Sequence, residues 1–547
     1  MKIGLCQINT IIGNIEYNKS KILSGYKKGI EEGCDLIIFP ELALCGYPPQ
    51  DLIEKDEFRE AVIQATIEVA ENTNGVGLLF GTITEEFDKV GTGVYNSAAL
   101  CFDGKIQFVQ HKTLIPNYDV FDEVRYFESA KDVHVFNFKG ERLGISICED
   151  IWNDADYWKH RLYEKDPVQR LVDKGSTLLV NISASPYYYG RREERKEMLS
   201  VLTKTNNLPL AYVSCVGGQT DLVFDGASLC LDSNGNLVKI GKNFKEDFFV
   251  FDTKKEYEPL EIIEGNFGEE VLNSLVLGLK DYAEKTGFKK ALIGLSGGID
   301  SALVTYIAVQ AFGKENVHVV MMPSQYSSEG SIKDSEQLIR NLGISSETIS
   351  IKSLYNEFIE VLSPSFNGKE KDVTEENIQA RIRGVILMAL SNKFGYFLCT
   401  TGNKSEMAVG YATLYGDMNG ALAIIADVYK TQVYELANYI NSNTEIIPQN
   451  IIDKAPSAEL SPDQKDQDSL PPYELLDKIL QLYLEDYKEY IEISEIIGDK
   501  EVVKKVLNLV DKNEFKRKQA APVLRVTKKA FGYGRRFPIV QGWSSQK

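Results

Sequence analysis

The 547 residues carry 61 lysines and arginines against 79 aspartates and glutamates, a formal charge of −18. That field opposes binding of a polyanion and argues against a nucleic-acid enzyme. With 43% hydrophobic and 26% charged residues the chain reads as globular and long enough for about two to four domains. No apolar stretch approaches the roughly 18 residues of a membrane span, and Met1–Ile8 has too short an apolar run for a signal peptide. Eight scattered cysteines without a Cys-x-x-Cys pair fit a reducing cytoplasm better than a zinc or disulfide framework. Four histidines leave little scope for His-based metal chemistry.

In the first half, short apolar runs predict strands at 2–8, 35–39, 77–83, 95–102, 142–147, 177–182, 210–215 and 227–231. Amphipathic spacing predicts helices at 17–32, 57–72, 164–174 and 191–206, and the alternation indicates a layered α/β domain. Asp103-Gly104 and Asn234-Gly235 are hairpin signals, so part of the sheet should be antiparallel.

Reactive groups gather at three strand ends: Phe39-Pro40-Glu41-Leu42, His111-Lys112-Thr113-Leu114-Ile115-Pro116 and Cys148-Glu149-Asp150. Loops at strand ends commonly carry chemistry. A thiol is only slightly ionised at neutral pH, a nearby Lys⁺ lowers its pKa, and a carboxylate can take its proton. Taken singly, Cys148 reads equally as a core thiol, Glu41 and Lys112 as surface charges, and His111 as a partner for Cys148.

Together, and in this order, the three words resemble the signatures of the nitrilase, or carbon–nitrogen hydrolase, family. The resemblance implies an αββα sandwich in which Glu41 is the general base, Lys112 stabilises thiolate and oxyanion, and Cys148 is the nucleophile. It implies a supporting carboxylate at Glu123, and Tyr118, Ser185 and Arg191 as glutamine-binding residues. An arginine suits an α-carboxylate because it donates two parallel hydrogen bonds; alternatively, Arg191 and Arg192 open a charged helix beside Glu193 and Glu194.

Periodicity fails over 253–268, where a boundary is expected: a first domain over 1–255, a linker over 256–268 and a second domain over 269–547. The second half predicts helix, strand, loop and helix around Lys290-Ala291-Leu292-Ile293-Gly294-Leu295-Ser296-Gly297-Gly298-Ile299-Asp300-Ser301. A loop of small residues ahead of a helix N-terminus exposes N–H groups to an anion, most often phosphate. It lacks the P-loop spacing. It matches a Gly-x-Ser-x-Gly elbow at Gly294–Gly298, but the only later histidine is His318. Asp300 is either a first-turn acid on the helix dipole or, next to phosphate, a ligand of bridging Mg²⁺.

Strands at 317–322, 348–351 and 396–399, with helices at 331–342 and 374–392, complete a doubly wound parallel sheet that binds ligand at its strand ends. Asn377, Arg381 and Gly384 fall on one face of the last helix. Residues 361–377 and 456–472 are acidic, Pro-bearing and aperiodic, and are expected to be loops that close over nucleotides.

Ser296–Ser301 resembles the loop of the N-type ATP pyrophosphatases, of the adenine nucleotide α-hydrolase-like fold, which transfer AMP to a carboxylate or carbonyl and release pyrophosphate. Thr400-Thr401-Gly402-Asn403-Lys404-Ser405-Glu406, Tyr415-Gly416-Asp417-Met418-Asn419-Gly420 and Phe515-Lys516-Arg517-Lys518-Gln519 resemble NAD synthetases. The resemblance implies that Gly294, Leu295, Ser296, Gly297, Gly298, Ile299, Asp300, Ser301 and Thr401 bind ATP. It implies that Asn377, Arg381, Glu406, Asp417 and Lys516 bind deamido-NAD, and that Asp300 and Glu406 hold Mg²⁺. Combined, the halves imply a cytoplasmic, homo-oligomeric, glutamine-dependent ligase amidating adenylated deamido-NAD, with an internal ammonia passage suggested by the fusion. The alternative is another glutamine-dependent amidotransferase of the same superfamily.

Overall fold

The computed structural model describes residues 1–86, 91–261, 265–462 and 464–543. The chain divides into two compact units, Met1–Gly265 and Asn266–Lys547. Residues 262–264 of the expected linker and Asp463 of the second expected closing loop lie outside the described residues.

The first unit runs β1 (Lys2–Gln7), α1 (Ile15–Glu31), β2 (Leu36–Ile38), α2 (Asp56–Glu71), β3 (Gly77–Glu85), β4 (Val94–Phe102), β5 (Lys105–His111), β6 (Val135–Phe138) and β7 (Glu141–Ile147). It continues with α3 (Pro167–Asp173), β8 (Leu178–Ser183), α4 (Arg191–Asn206), β9 (Leu210–Ser214), β10 (Val216–Gln219), β11 (Leu222–Asp225), β12 (Leu229–Leu231), β13 (Leu237–Ile240) and β14 (Asp247–Asp252). Two six-stranded sheets form, β14-β1-β2-β3-β4-β5 and β13-β12-β9-β8-β7-β6. Each has a parallel centre (β1-β2-β3, β7-β8-β9) flanked by antiparallel strands.

Alternation along the strands explains the layers. Ile3, Leu5, Leu36 and Ile38 enter a core shared with Leu143, Ile145, Ile147, Val180 and Ile182 of the other sheet. Cys6, Ile37 and Phe39 point the opposite way, onto Ile22 and Tyr26 of α1 and Val62 and Val69 of α2. Met198, Leu199 and Leu202 of α4 cover Leu179, Leu210 and Tyr212. Strands buried on both faces read as unbroken apolar runs, and each fully buried Ile or Leu contributes about 1.5–3 kcal/mol. The αββα sandwich is thus the expected one. Asp103-Gly104 turns β4 into β5 with φ of 48° and 77°, a left-handed pair that glycine eases.

The second unit runs α5 (Phe267–Thr286), β15 (Ala291–Gly294), α6 (Ile299–Phe312), β16 (Val317–Met321), α7 (Glu329–Leu342), β17 (Ser345–Thr348), α8 (Lys352–Phe366), α9 (Val373–Phe394), β18 (Phe397–Thr400), α10 (Lys404–Val409) and β19 (Leu422–Ala423). Then come α11 (Lys430–Ile440), α12 (Gln449–Asp453), α13 (Tyr473–Leu484), α14 (Tyr490–Ile497), α15 (Lys500–Lys512) and α16 (Glu514–Arg517). The sheet β17-β16-β15-β18-β19 is entirely parallel. Leu292, Val320 and Leu398 face Ile378 and Ile382 of α9 and Tyr355 of α8. Leu476, Leu480, Val503, Val506 and Val510 build a helical cluster beside Met407 and Phe531.

Two expectations fail here. The edge strand lies at Ser345–Thr348 rather than 348–351. Its ladder residues are polar because one side of an edge strand meets solvent, so the apolar alternation misplaces it. Ile349 and Ile351 still donate N–H to Met321 and Pro323 at 2.9 and 3.0 Å. Nor is 361–377 a loop. α8 carries Pro364 in its final turn, and α9 starts at Val373 under a capping box in which Asp372 accepts from Thr374 N–H and Glu375 from Asp372 N–H. Among the described residues no helix is long and apolar enough to cross a membrane.

Candidate functional sites

In the first unit three strand ends meet at one buried cluster. Lys112 Nζ lies 2.8 Å from Glu41 Oε1 and 2.9 Å from both Glu123 oxygens, and none of the three is more than 5% exposed. Asn96 Nδ2 donates to Glu41 at 2.7 Å, the Ala184 N–H to its other oxygen at 2.9 Å, and the Tyr47 hydroxyl to Glu123 at 2.9 Å. Burial alone would lower the Lys112 pKa; the flanking carboxylates of Glu123 and Glu41 outweigh it and hold the ammonium charged. Burial pushes the Glu123 carboxyl up against the pull of Lys112.

Cys148 follows β7 directly, 4% exposed, with φ of 43°. A non-glycine residue in the left-handed region is strained, a condition that recurs at functional sites. Burial, then the charge of Glu41, pushes its thiol above the ordinary value, while Lys112 pulls it down. Asp150, which motif reading left without a role, ties two of the three strand ends together. Its Oδ1 accepts from the N–H of Thr113 and Leu114 at 2.9 and 2.7 Å, and its Oδ2 from that of Ile147 at 3.1 Å. The residues after Lys112 and before Cys148 are thereby joined.

The His111–Cys148 pairing is set aside. The His111 ring nitrogens engage Ser97 (2.7 Å) and Glu86 (3.3 Å), and the ring stacks on Tyr95.

The glutamine-binding candidates stand around Glu149. The Tyr118 and Tyr163 hydroxyls donate to Glu149 Oε1 at 2.8 and 3.1 Å. Burial pushes the Glu149 carboxyl up, against Tyr118, Lys112 and Arg191. Arg191 opens α4 and pairs with Glu194 at 2.8 Å, as the charged-helix alternative requires. Its guanidinium also lies 3.6 Å from the Trp152 ring centroid and 3.4 Å from Ser185 Oγ, which draws it to Ser185.

In the second unit one cavity at the ends of β15, β16 and β18 is lined by Gly294, Leu295, Ser296, Gly298, Ile299, Asp300 and Ser301, with Thr401, Glu406 and Asp417. Gly297 has φ of 81°, and a Cβ there would meet the Ser331 carbonyl at 2.5 Å. Glycine is therefore required by the packing of the loop on α7, not only by a ligand. Ser301 Oγ donates to the Gly298 carbonyl at 3.0 Å and lies 3.1 Å from Ser296 Oγ, so both hydroxyls also hold the loop's own shape. The serine-elbow reading fails, since His318 engages Ser345 and Glu347.

Asp300 accepts from Asn403 Nδ2 at 2.9 Å and pairs with Lys430, whose Nζ is also 3.5 Å from Glu406. Burial, then the charge of Asp300, pushes the Glu406 carboxyl up to about 8 against Lys430. Two carboxylates thus face each other across one cation. Lys430, Asn403 and the cavity-lining Arg383 escaped the sequence reading. Lys430 belongs to no motif; it is the first residue of α11, four residues after the apolar run 421–426. Among the described residues no three His, Cys, Asp or Glu side chains converge as a metal site.

The remaining dinucleotide candidates gather on the 410–417 loop. Asn377 accepts from the Thr413 hydroxyl (2.7 Å), Arg381 donates to the Leu414 carbonyl (3.2 Å), and Lys516 to the carbonyls of Gly410 and Ala412 (2.7 and 2.8 Å). Asp417 accepts from the Thr413 N–H at 2.7 Å, and burial raises its carboxyl to about 6. Burial lowers the Lys516 ammonium. Gly384 lines the cavity, and a Cβ there would lie 2.8 Å from the Tyr415 carbonyl. Lys404 is structural. It is fully buried on Asp427 (2.9 Å), Glu485 (3.0 Å) and Thr527 (2.6 Å), and Asp427 in turn anchors Val526 and Thr527. Lys404→Ala leaves those carboxylates buried and unpaired, and should destabilise the second unit by about 3–5 kcal/mol, visible as a lowered melting transition.

Family models divide the chain as its folding units do: one described as Carbon-nitrogen hydrolase matches residues 2–254, and one described as NAD synthase matches 271–520. The protein is therefore a carbon–nitrogen hydrolase unit joined to a nucleotide-dependent synthase. The glutamine-dependent NAD(+) synthetases of Synechocystis sp. and Thermotoga maritima are 46% and 42% identical, over 100% and 98% of this chain and 99% and 98% of theirs. The chain belongs to the family of glutamine-dependent NAD(+) synthetases. A solved Acinetobacter baumannii member, in complex with adenosine diphosphate, is 40% identical with a TM-score of 0.76, covering 100% of this chain and 99% of that one. A Cytophaga hutchinsonii member shares the fold at a TM-score of 0.84 and 21% identity, covering 99% and 98%.

Proposed function

We propose that residues 1–255 release ammonia from glutamine and residues 269–547 use it, with ATP, to convert deamido-NAD to NAD, the segment 256–268 linking them. The observation that carries this reading is the coexistence of a buried Glu41–Lys112–Cys148 cluster with a Ser296–Ser301 loop whose Asp300 meets Lys430 and, across it, Glu406.

In the first unit Glu41 takes the Cys148 proton as the sulfur attacks the amide carbon, and Lys112 stabilises the tetrahedral oxyanion. The C–N bond breaks, Glu41 returns the proton to the leaving ammonia, and water hydrolyses the thioester to glutamate. Glu123 and Tyr47 hold Lys112 in place. Glutamine is an amino acid with two charged ends. Arg191, beside Ser185, suits its α-carboxylate, and Glu149, steadied by Tyr118, suits its ammonium.

In the second unit the loop N–H groups, Ser296, Ser301 and Lys430 take the triphosphate of ATP, with Thr401 beside it. The nicotinate carboxylate of deamido-NAD attacks the α-phosphorus and pyrophosphate leaves; ammonia then attacks the acyl carbon and AMP leaves. Asn377, Arg381, Glu406, Asp417 and Lys516 hold the dinucleotide. Asp300 and Glu406 fit Mg²⁺, because two facing carboxylates with one raised pKa are what a divalent cation relieves. Bound there, Mg²⁺ would neutralise phosphate charge.

The test is NAD formation from deamido-NAD and ATP with Mg²⁺ and either glutamine or ammonium. EDTA should stop synthesis from both nitrogen donors while glutamine hydrolysis continues. Apparent Mg²⁺ affinity should rise with pH up to about 8, since the protonated Glu406 carboxyl cannot ligate. Synthesis unaffected by EDTA would exclude the metal assignment. A homo-oligomer in a reducing cytoplasm belongs to the same reading; the eight cysteines, all buried and outside any disulfide, suit that compartment.

A further inference from the structure

The adenylation site proposed above requires Lys430 to sit between Asp300 and Glu406, and its placement is governed from outside the cavity. Asp477 of α13, 2% exposed, accepts at Oδ2 from the N–H of Thr431 at 2.9 Å and from its hydroxyl at 2.8 Å. Its other oxygen accepts from the Ser405 hydroxyl. Ser405 Oγ in turn accepts the backbone N–H of Lys430 at 2.9 Å. One buried carboxylate therefore joins the residue before Glu406 to the residue after Lys430.

The two ends of the same helix add further contacts, with Tyr473 one turn before Asp477. The ring centroid of Tyr473 is 5.5 Å from Lys430 Nζ, and its hydroxyl donates to Asp466 at 2.8 Å. Glu485, just past the last turn, receives Lys404 Nζ at 3.0 Å and the Tyr429 hydroxyl at 2.7 Å. Asp477 and Glu485 thus splint the 403–406 and 427–431 segments against each other, with the Tyr473 ring against the Lys430 ammonium. Asp477 is the central member, and it bonds to the residues immediately adjacent to Glu406 and Lys430.

We propose that Asp477 is a positioning residue for the adenylation step: without touching substrate, it sets Lys430 at its working distance from Asp300 and Glu406. The inference rests on the assignment of that cluster to ATP. An amide cannot replace the carboxylate here. Ser405 Oγ already accepts from Lys430, so its own proton needs an acceptor, and the side-chain nitrogen of an asparagine in place of Asp477 would present a donor instead.

In the full-length protein, Asp477→Asn should lower kcat/KM for ATP in deamido-NAD-dependent ATP–pyrophosphate exchange by about tenfold or more, mainly through KM, with glutamine hydrolysis unchanged. Thr431→Ser keeps the hydroxyl and should stay within about twofold of the parent; Thr431→Val should follow Asp477→Asn. Leu480→Ala, buried on the same helix but outside this chain of bonds, should lower Tm without raising KM. Wild-type KM in Asp477→Asn, or an equal rise in Leu480→Ala, would overturn the proposal; if Asp477→Asn does not fold, Thr431→Val decides. Exchange retained in Lys430→Met would instead overturn the ATP assignment itself, whereas its loss there with Asp477→Asn unaffected overturns only this inference.

Discussion

Cys148→Ala should abolish NAD formation from glutamine and leave formation from ammonium salts within about twofold of the parent. The side chain lost is the proposed nucleophile of one unit only, and removing such a group alone costs about as much as removing its whole constellation, on the order of 10³-fold or more. Fold should survive: the thiol makes no ion pair, and alanine leaves Lys112 bonded to Glu41 and Glu123. The measurement is NAD produced with each nitrogen donor beside glutamate released. Loss of both activities in a folded variant would count against independent sites, and persistence of glutamine-dependent synthesis would remove Cys148 from the mechanism.

Lys430→Met should have the complementary outcome: synthesis lost from either donor and glutamine hydrolysis kept. Burial alone would lower the Lys430 pKa, and the charges of Asp300 and Glu406 outweigh it. Without that cation the two carboxylates repel, and breaking a buried pair costs about 3–5 kcal/mol. Misplacing the phosphate-facing groups by even 1 Å costs about 10²-fold in rate. ATP–pyrophosphate exchange reads the effect directly, since it precedes any use of ammonia. A variant that still exchanges pyrophosphate at the parental rate would show that Lys430 serves structure alone.

The contrast between these residues explains what was legible in the chain. Glu41, Lys112 and Cys148 each stand at the end of an apolar strand inside a recognisable word, so local pattern found them and tertiary structure only brought them together. Ser296–Ser301 was legible for the same reason, being contiguous. The Ser345–Thr348 strand was not, because a polar edge strand carries no apolar alternation. The Val373 start of α9 was masked by acidic residues, which are at once loop-formers and good helix N-terminal caps.

By itself, then, the sequence determined the two-part architecture and the αββα and parallel-sheet classes, and it placed the proposed nucleophile and phosphate loop in contiguous motifs. These depend on periodicity and on neighbours in the chain. Only the tertiary structure decided that Lys430 answers Asp300 across 130 residues, that Asp477 joins Ser405 to Thr431, that Asp150 links the Lys112 and Cys148 segments, and that Lys404 is buried on Asp427 and Glu485. The physical reason is that a buried charge is tolerable only beside its partner. That partner is set by where strands and helices deliver it, which no local spacing encodes.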